Sequence, residues 1–370
     1  MSFNSNHIAE RQYYDIIVSN LNTKSSSNPV LNFQESRSNP FVYSPQNYYM
    51  SIIRFSLDTC SLPIFVPTIQ ADQDDCNLSI YSVSMTYNDA TVQVYMNFVP
   101  QDKTQSLPSS PISTKTGLQI FSEYYYVYNY EYLISLLNIT LATCFASLQS
   151  TYSGTLPTAN IPYLKWDSVN KIASLVTDQA GFNNSSSSSY IGLYFNNALY
   201  QLFSSFPMLL QSTTSTTGLN YQLSCNTYGI ASTEDTGSYL AQILQQEYST
   251  ISIWNPVMSI VFTSNTMPIV SEQLSAPLVF LNGSTKQSTN TSNIANIISD
   301  FEANDGLYKP NLVYQPTIYR YKELIGNSPL NSIDISCFWK NRIGSLVPFY
   351  LNAGCSASIK FMFCLKGTQN

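Results

Sequence analysis

The C-terminal part of this chain alternates between apolar and polar residues. Ile333, Ile335, Cys337 and Trp339 fall on one side of such a pattern, with Asp334 and Ser336 on the other. Ser358 to Cys364 repeats it with Ile359, Phe361 and Phe363. A strand points successive side chains to opposite faces, so a period of two predicts half-buried sheet. Ile251-Ser-Ile-Trp254 and Ser259 to Thr263 are shorter runs of the same kind. In the first third, strands are predicted at Ser51 to Leu57, at Leu78 to Tyr87 and at Thr91 to Val99, the last two split by the turn signal Asn88-Asp89. Leu62 to Pro67 carries proline at both ends and suits an edge strand.

The middle of the chain changes period. Leu133, Leu136, Leu137, Leu141, Phe145 and Leu148 form one helical stripe, the clearest helix signal in the sequence. Phe195, Leu199, Leu202, Phe203 and Phe206 predict a second helix stopped by Pro207, and Leu240, Ile243 and Leu244 a third, over Tyr239 to Tyr248. Serine- and threonine-rich stretches at 185–189, 212–217 and 282–293 read as loops. No repeat of 20 to 50 residues is present. The order is thus β, mixed, β. Neither flank has enough strands to close a sandwich alone, but about eight strands summed over both would make a jelly roll. The expected fold is mainly β, a single jelly-roll sandwich with an inserted mixed α/β domain. Its parts are a polar arm over 1–48 with at most the strand Tyr13 to Val18, a discontinuous jelly roll over 49–110 and 250–366, and an insertion domain over 111–249.

Composition limits what the surface does. Only 10% of the 370 residues are charged, against roughly 25% in an ordinary soluble domain. The 28 tyrosines and 19 phenylalanines argue against disorder. Few charges and many tyrosines suit a surface committed to protein contacts, since charges are depleted from interface cores and tyrosine is enriched there. A codon-biased genome is the competing account, although lysine is not enriched. A net charge of −6 gives no drive towards phosphate, and specific nucleic-acid binding is not expected. Seven cysteines, odd in number and without a CxxC, read as buried thiols in a reducing compartment. The start reads as no signal peptide, and no run approaches the ~20 apolar residues of a membrane span, so a soluble protein is expected.

Chemistry finds little support. His7 is the one histidine, which removes histidine-dependent triads and imidazole zinc sites. Phosphate-cradling glycine motifs and a nucleophile elbow are missing. Asp72-Gln73-Asp74-Asp75 lacks the glycine turn and distal glutamate of a calcium loop and reads as a solvated loop. Glu234-Asp235 is weaker still, and a distant glycosidase carboxylate pair has no supporting context. The run Tyr124 to Tyr130 reads as a strand serving core and interface rather than a stacking platform for glycans. No catalytic, cofactor or metal residues are assigned, and the chain is read as no enzyme.

Four stretches resemble the penton (minor capsid) proteins of virophages and polinton-like viruses: Arg54-Phe55 through Leu62 to Pro67, Phe195 to Pro207, Trp254 to Pro268, and Phe338 to Gly354 followed by Ser356 to Phe363. The resemblance implies a single jelly roll with an insertion, five copies of which close an icosahedral vertex. It further implies surrounding major capsid proteins with double jelly rolls, other minor capsid neighbours, assembly in the host cytoplasm, and an arm before residue 48 that reaches under the shell. A glycan- or receptor-binding attachment protein is the alternative expectation.

Overall fold

The structure, a computed structural model, describes residues 10–22, 28–70, 75–101, 122–185, 189–226, 229–274, 278–281, 284–287, 293–302 and 310–368. The chain opens with strands β1 (Arg11–Ser19), β2 (Asn32–Ser36) and β3 (Tyr48–Asp58). Then follow β4 (Leu78–Tyr87), β5 (Ala90–Asn97), helix α1 (Tyr130–Thr151), β6 (Tyr163–Asp167), β7 (Ile172–Asp178), the one-turn helix α2 (Gln179–Phe182) and β8 (Gly192–Phe195). Helix α3 (Asn197–Leu202), β9 (Met208–Leu210), β10 (Tyr221–Leu223), β11 (Ile230–Asp235), β12 (Leu240–Gln245) and the turn α4 (Ile251–Trp254) complete the middle. The principal strands of the last third are β13 (Val257–Thr263), β14 (Ile297–Glu302), β15 (Asn311–Tyr314), β16 (Ser332–Asn341) and β17 (Ser356–Leu365). Two compact units result, residues 1–63 with 256–370, and residues 64–255.

The first unit is built on two antiparallel sheets ordered β1-β17-β3-β15 and β2-β16-β13-β14. Counting its eight main strands along the chain, these orders are first-eighth-third-sixth and second-seventh-fourth-fifth. Consecutive strands alternate between sheets except the fourth and fifth, which pair with each other in the second sheet, and this is the winding of a jelly roll. The inward faces carry the alternation seen in the sequence: Ile333, Ile335 and Cys337 on β16, and Ile359, Phe361 and Phe363 on β17, are all fully buried. Phe55 of the first sheet meets Phe262 and Phe301 of the second, each with ring centroids 5.1 Å away. Offset and edge-on aromatic pairs of this kind add to the area they bury.

The second unit holds a five-stranded sheet, β5-β4-β8-β10-β9, and a four-stranded sheet, β11-β12-β7-β6. Helix α1 is capped by the Asn129 side chain, which accepts the Glu131 N–H, and buries Leu133, Leu137, Leu141, Cys144, Phe145 and Leu148. Asn138 clamps it to β6, donating to the Leu164 carbonyl at 3.0 Å and accepting the Leu164 N–H at 2.7 Å. Trp254 centres a second cluster with Phe65, Tyr130, Trp166 and Phe203.

Several expectations are corrected. The segment before residue 48 contributes two strands of the roll, β1 and β2, with Phe33 fully buried. The strands at Leu78–Tyr87 and Ala90–Asn97 exist but pair with each other and with β8 in the second unit, so the division falls at 63 and 256, not 110 and 250. Among the described residues Leu62 to Pro67 makes a single bridge, Phe65 to Val127. Tyr239 to Tyr248 is no helix. Its spacing is too short to tell periods apart, and pairing with β11 and β7 on both sides makes Leu240–Gln245 a strand. Conversely, Ile251–Trp254 is a single helical turn. The second predicted helix shrinks to six residues because Phe195 ends strand β8. Contrary to the expectation from run length, α1 is long and apolar enough, by length and composition, to cross a bilayer. Half of that apolar stretch is buried in the structure, as a core helix requires.

Candidate assembly surface

Strand β1 is the terminal strand of the first sheet and runs antiparallel to β17 over its whole length, from Arg11 opposite Cys364 to Ser19 opposite Ser356. Of its inward residues Ile16 is buried and Tyr14 half-buried, Tyr14 stacking on Phe361 with centroids 5.6 Å apart. Its outward residues are not the polar set a solvated edge would carry. Tyr13 and Ile17 stand on that face, Ile17 70% exposed, and Leu21 follows at 82%. Between the two apolar side chains Asp15 receives Arg54 at 3.2 Å, and Lys360 lies 5.9 Å from the Tyr13 ring centroid. Both ions of that pair are well exposed, so it contributes specificity more than stability.

The other edge of the same sheet repeats the theme with different residues. β15 and the short strand Lys322–Glu323 both pair with β3 on the side opposite β17. Val313 is 63% exposed there, and Ile318 and Ile325 follow in the same segment, also exposed. Edge strands left open and apolar are templates for association, which monomeric proteins normally block with lysine, proline or a covering loop.

The residues singled out for chemistry do not converge. Among the described residues no group of three His, Cys, Asp or Glu could hold a metal ion. His7 and Asp72 to Asp74 lie outside the described residues. Asp75 accepts the Asn77 N–H in a local turn. Glu234 and Asp235 lie exposed on β11. The tyrosine run is not a strand: Tyr124 and Tyr125 belong to a turn of 3-10 helix, Tyr124, Tyr125 and Tyr126 are buried, and the run ends at the start of α1. Burial pushes the Tyr128 hydroxyl up to about 12. An exposed aromatic platform is therefore not formed by Tyr124 to Tyr126. The cysteines divide: Cys144, Cys225, Cys337 and Cys364 are buried as expected, whereas Cys60 is exposed and Cys76 and Cys355 half-buried.

The second unit does hold one open cleft of about 530 Å³, lined by residues that include Asn160, Asp178, Ser238 and Tyr239. At its floor the buried Asp178 carboxylate accepts the Thr158 hydroxyl, the Asn160 amide and the Ala180 N–H, which holds the loop before β6 against α2. Sequence reasoning found neither this cleft nor the β1 face. The alternation of Tyr13, Asp15 and Ile17 was visible, but without a pairing partner it marks no particular side as buried.

A single jelly roll of eight main strands, with a large unit spliced between its third and fourth strands and exposed apolar side chains on its edge strands, is the frame of a structural protein that works by packing against other chains. A family model described as Sputnik minor capsid protein V18/19 matches residues 12–365, and the chain belongs to that family. It is similar to the uncharacterized protein V18 of Sputnik virophage, 29% identical over 148 residues, which span 39% of this chain and 88% of that protein. The fold matches a chain of the 3.5 Å cryo-EM structure of the Sputnik virophage with a TM-score of 0.81 at 24% identity, over 98% of this chain and 99% of that one. The crystal structure of the mavirus penton protein matches with a TM-score of 0.64 at 16% identity, over 96% and 99%. The protein is thus a structural capsid protein of the virion, assembling with other capsid proteins, and not an enzyme.

Proposed function

We propose that five copies of the chain form a ring that closes an icosahedral vertex, set among major capsid proteins with double jelly rolls and other minor capsid proteins, and assembled in the host cytoplasm. The observation that carries this reading is the pair of different apolar patches at opposite edges of one sheet, Tyr13, Ile17 and Leu21 at one and Val313, Ile318 and Ile325 at the other. A closed ring uses heterologous contacts, in which one patch of a copy meets a different patch of the next. The likeness to the mavirus penton fold supports the same reading. In this scheme the unit of residues 1–63 and 256–370 supplies the ring and residues 64–255 the insertion. Mass measurement and negative-stain microscopy of the purified full chain test it. Five-membered rings are the expected result, and a stable two-fold dimer or a monomer at all concentrations refutes it.

The Asp178 cleft favours a second reading, attachment to a hydroxyl-rich ligand such as a glycan. Glycan-array binding by the full chain that is lost in Tyr239→Ala supports it, and no binding by the wild type ends it.

A further inference from the structure

Two rows of cross-strand partners run the full width of the first sheet, from the β1 edge to the edge made by β15 and Lys322–Glu323. One row is Ile17, Ser358, Ser56 and Val313, and the other is Arg11, Cys364, Tyr49 and Glu323. The first row ends in an exposed apolar side chain at both edges, and the second in an exposed cation at one edge and an exposed anion at the other. The backbone has the matching phase. Asn20 N–H donates to the Cys355 carbonyl and Leu365 N–H to the Glu10 carbonyl, both at 2.9 Å. Antiparallel partners alternate between bonded and non-bonded pairs, so the even-numbered residues of β1 bond β17 and the odd-numbered ones turn their N–H and C=O outward. At the opposite edge Thr59 N–H donates to the Pro310 carbonyl at 3.1 Å and Leu324 N–H to the Tyr48 carbonyl at 3.2 Å. The same alternation turns Asn311, Val313 and Glu323 outward. Among the described residues the outward groups of Tyr13, Asp15, Ile17 and Ser19 meet no backbone partner. β1 carries no proline and pairs with β17 without a register shift, so these devices that blunt an edge strand are missing from it.

We propose, resting on the ring described above, that its contacts are made by backbone pairing, so that the first sheet continues from one copy into the next. The β15 edge of one copy bonds antiparallel to β1 of its neighbour, with Val313 opposite Ile17, Asn311 opposite Ser19 and Glu323 opposite Arg11. Strand direction allows this. β1 and β15 lie on opposite sides of the sheet, β1 parallel to β3 and β15 antiparallel to it, so β15 is antiparallel to β1 of a copy in the same orientation. A closed ring has rotation but no rise. Where its axis runs along the strands, each row of one copy therefore meets the same row of the next. Apolar then faces apolar and cation faces anion, and both kinds of cross-strand pair are stabilising. Each proposed partner also turns its N–H and C=O towards the other, as a hydrogen-bonded antiparallel pair requires. A second copy is the occupant because the two edges complement each other in charge, in apolar position and in backbone phase.

Residue-resolved amide hydrogen exchange on the purified full chain tests the pairing, comparing concentrated protein with dilute monomer. The N–H groups of Ile17, Ser19, Asn311 and Val313 are expected to exchange at least about tenfold more slowly in the ring, while Ile16 and Val18, bonded to β17 in both states, change little. Ile17→Cys/Val313→Cys reads the register directly, in a Cys60→Ser background because Cys60 is exposed. Hydrogen-bonded antiparallel partners have Cα atoms about 5.5 Å apart, within disulfide reach, so mild oxidation is expected to give a covalent ladder of copies on a denaturing gel. Tyr13→Cys/Val313→Cys, displaced by roughly 14 Å along the strand, is expected to give no ladder. Five-membered rings whose Ile17 and Val313 amides exchange as in the monomer, or a ladder as strong from the Tyr13 variant, overturn the proposal and leave the ring standing. Absence of rings at every concentration overturns both, so the two failures are told apart.

Discussion

Asp334 on β16 accepts the Ser264 hydroxyl at 2.6 Å, although the sequence period assigns Asp334 to the outer face of its strand. The same carboxylate also takes the Thr266 hydroxyl and the N–H groups of Asn265 and Thr266. Burial works to raise its pKa, but these four donors more than offset that and hold it below the ordinary carboxylate range. A carboxylate so placed fixes the turn that leaves β13.

Asp334→Ala is expected to lower the stability of the roll by about 2–3 kcal/mol, since two hydroxyls and two N–H groups lose a charged acceptor. Its pH signature has a definite sign. The folded value is depressed, so the contribution is fully present above the unfolded carboxyl value of about 3.9 and is lost as pH falls through the lower folded value. Thermal melts from pH 6 to pH 2 check this: the acid decline of the wild type should exceed that of Asp334→Asn. Parallel declines would show that the carboxylate adds nothing.

Helix α1 offers a paired test of its burial. Leu141 is fully buried and Ile139, two residues away, is 61% exposed. Leu141→Ala should cost about 2–5 kcal/mol through lost transfer energy and the cavity left behind. Ile139→Ser should change stability by less than about 0.5 kcal/mol. Urea unfolding monitored by tryptophan fluorescence reads both. Comparable losses at the two positions would mean that the exposed face is covered in solution.

A buried amide makes the third prediction. Gln246 donates to the hydroxyls of Ser205 and Thr250 at 3.0 Å each and accepts the Ala173 N–H at 2.7 Å. Thr250 and the Trp254 indole in turn both donate to the Leu202 carbonyl at 2.6 Å. Gln246→Ala strands an N–H and opens a void, and is expected to destabilise the second unit by about 2–3 kcal/mol. Gln246→Glu tests the donors specifically, because it keeps the acceptor and the volume but loses the amide N–H groups. Hydrogen exchange at Ala173 should accelerate in Gln246→Ala and stay closer to wild type in Gln246→Glu.

The long elements were legible because burial writes a period into them. β16, β17 and α1 carry unbroken apolar stripes, and each lies where the period puts it. The edge strands were not. β2 offers only Phe33 as a fully buried residue in Asn32–Ser36, so its pattern is lost among polar neighbours, and the flank was read as an arm. Leu240, Ile243 and Leu244 fit a helix as well as a strand over so few residues, and only pairing with β7 and β11 decides between them. Which strands belong to the roll is a question of long-range pairing, which local periodicity does not encode. The open edges of the first sheet escaped for the same reason, since a side chain's exposure depends on what pairs beside it.

Those edges carry the last prediction. If the β1 face of one copy meets the β15 edge of the next, a charge at either place breaks every contact in the ring. Ile17→Asp and Val313→Asp should therefore each yield monomers, without loss of the folded roll because both side chains are exposed. A two-fold contact made by β1 alone would fail in Ile17→Asp and survive Val313→Asp. Opposite charges distinguish direct apposition from two unrelated contacts. In Ile17→Lys/Val313→Asp, each interface would pair a lysine with an aspartate, and such complementary charges favour the matched register while like charges oppose it. Sedimentation velocity at low salt should recover rings in this double variant, more weakly than in the wild type, and lose them again at high salt where the pair is screened.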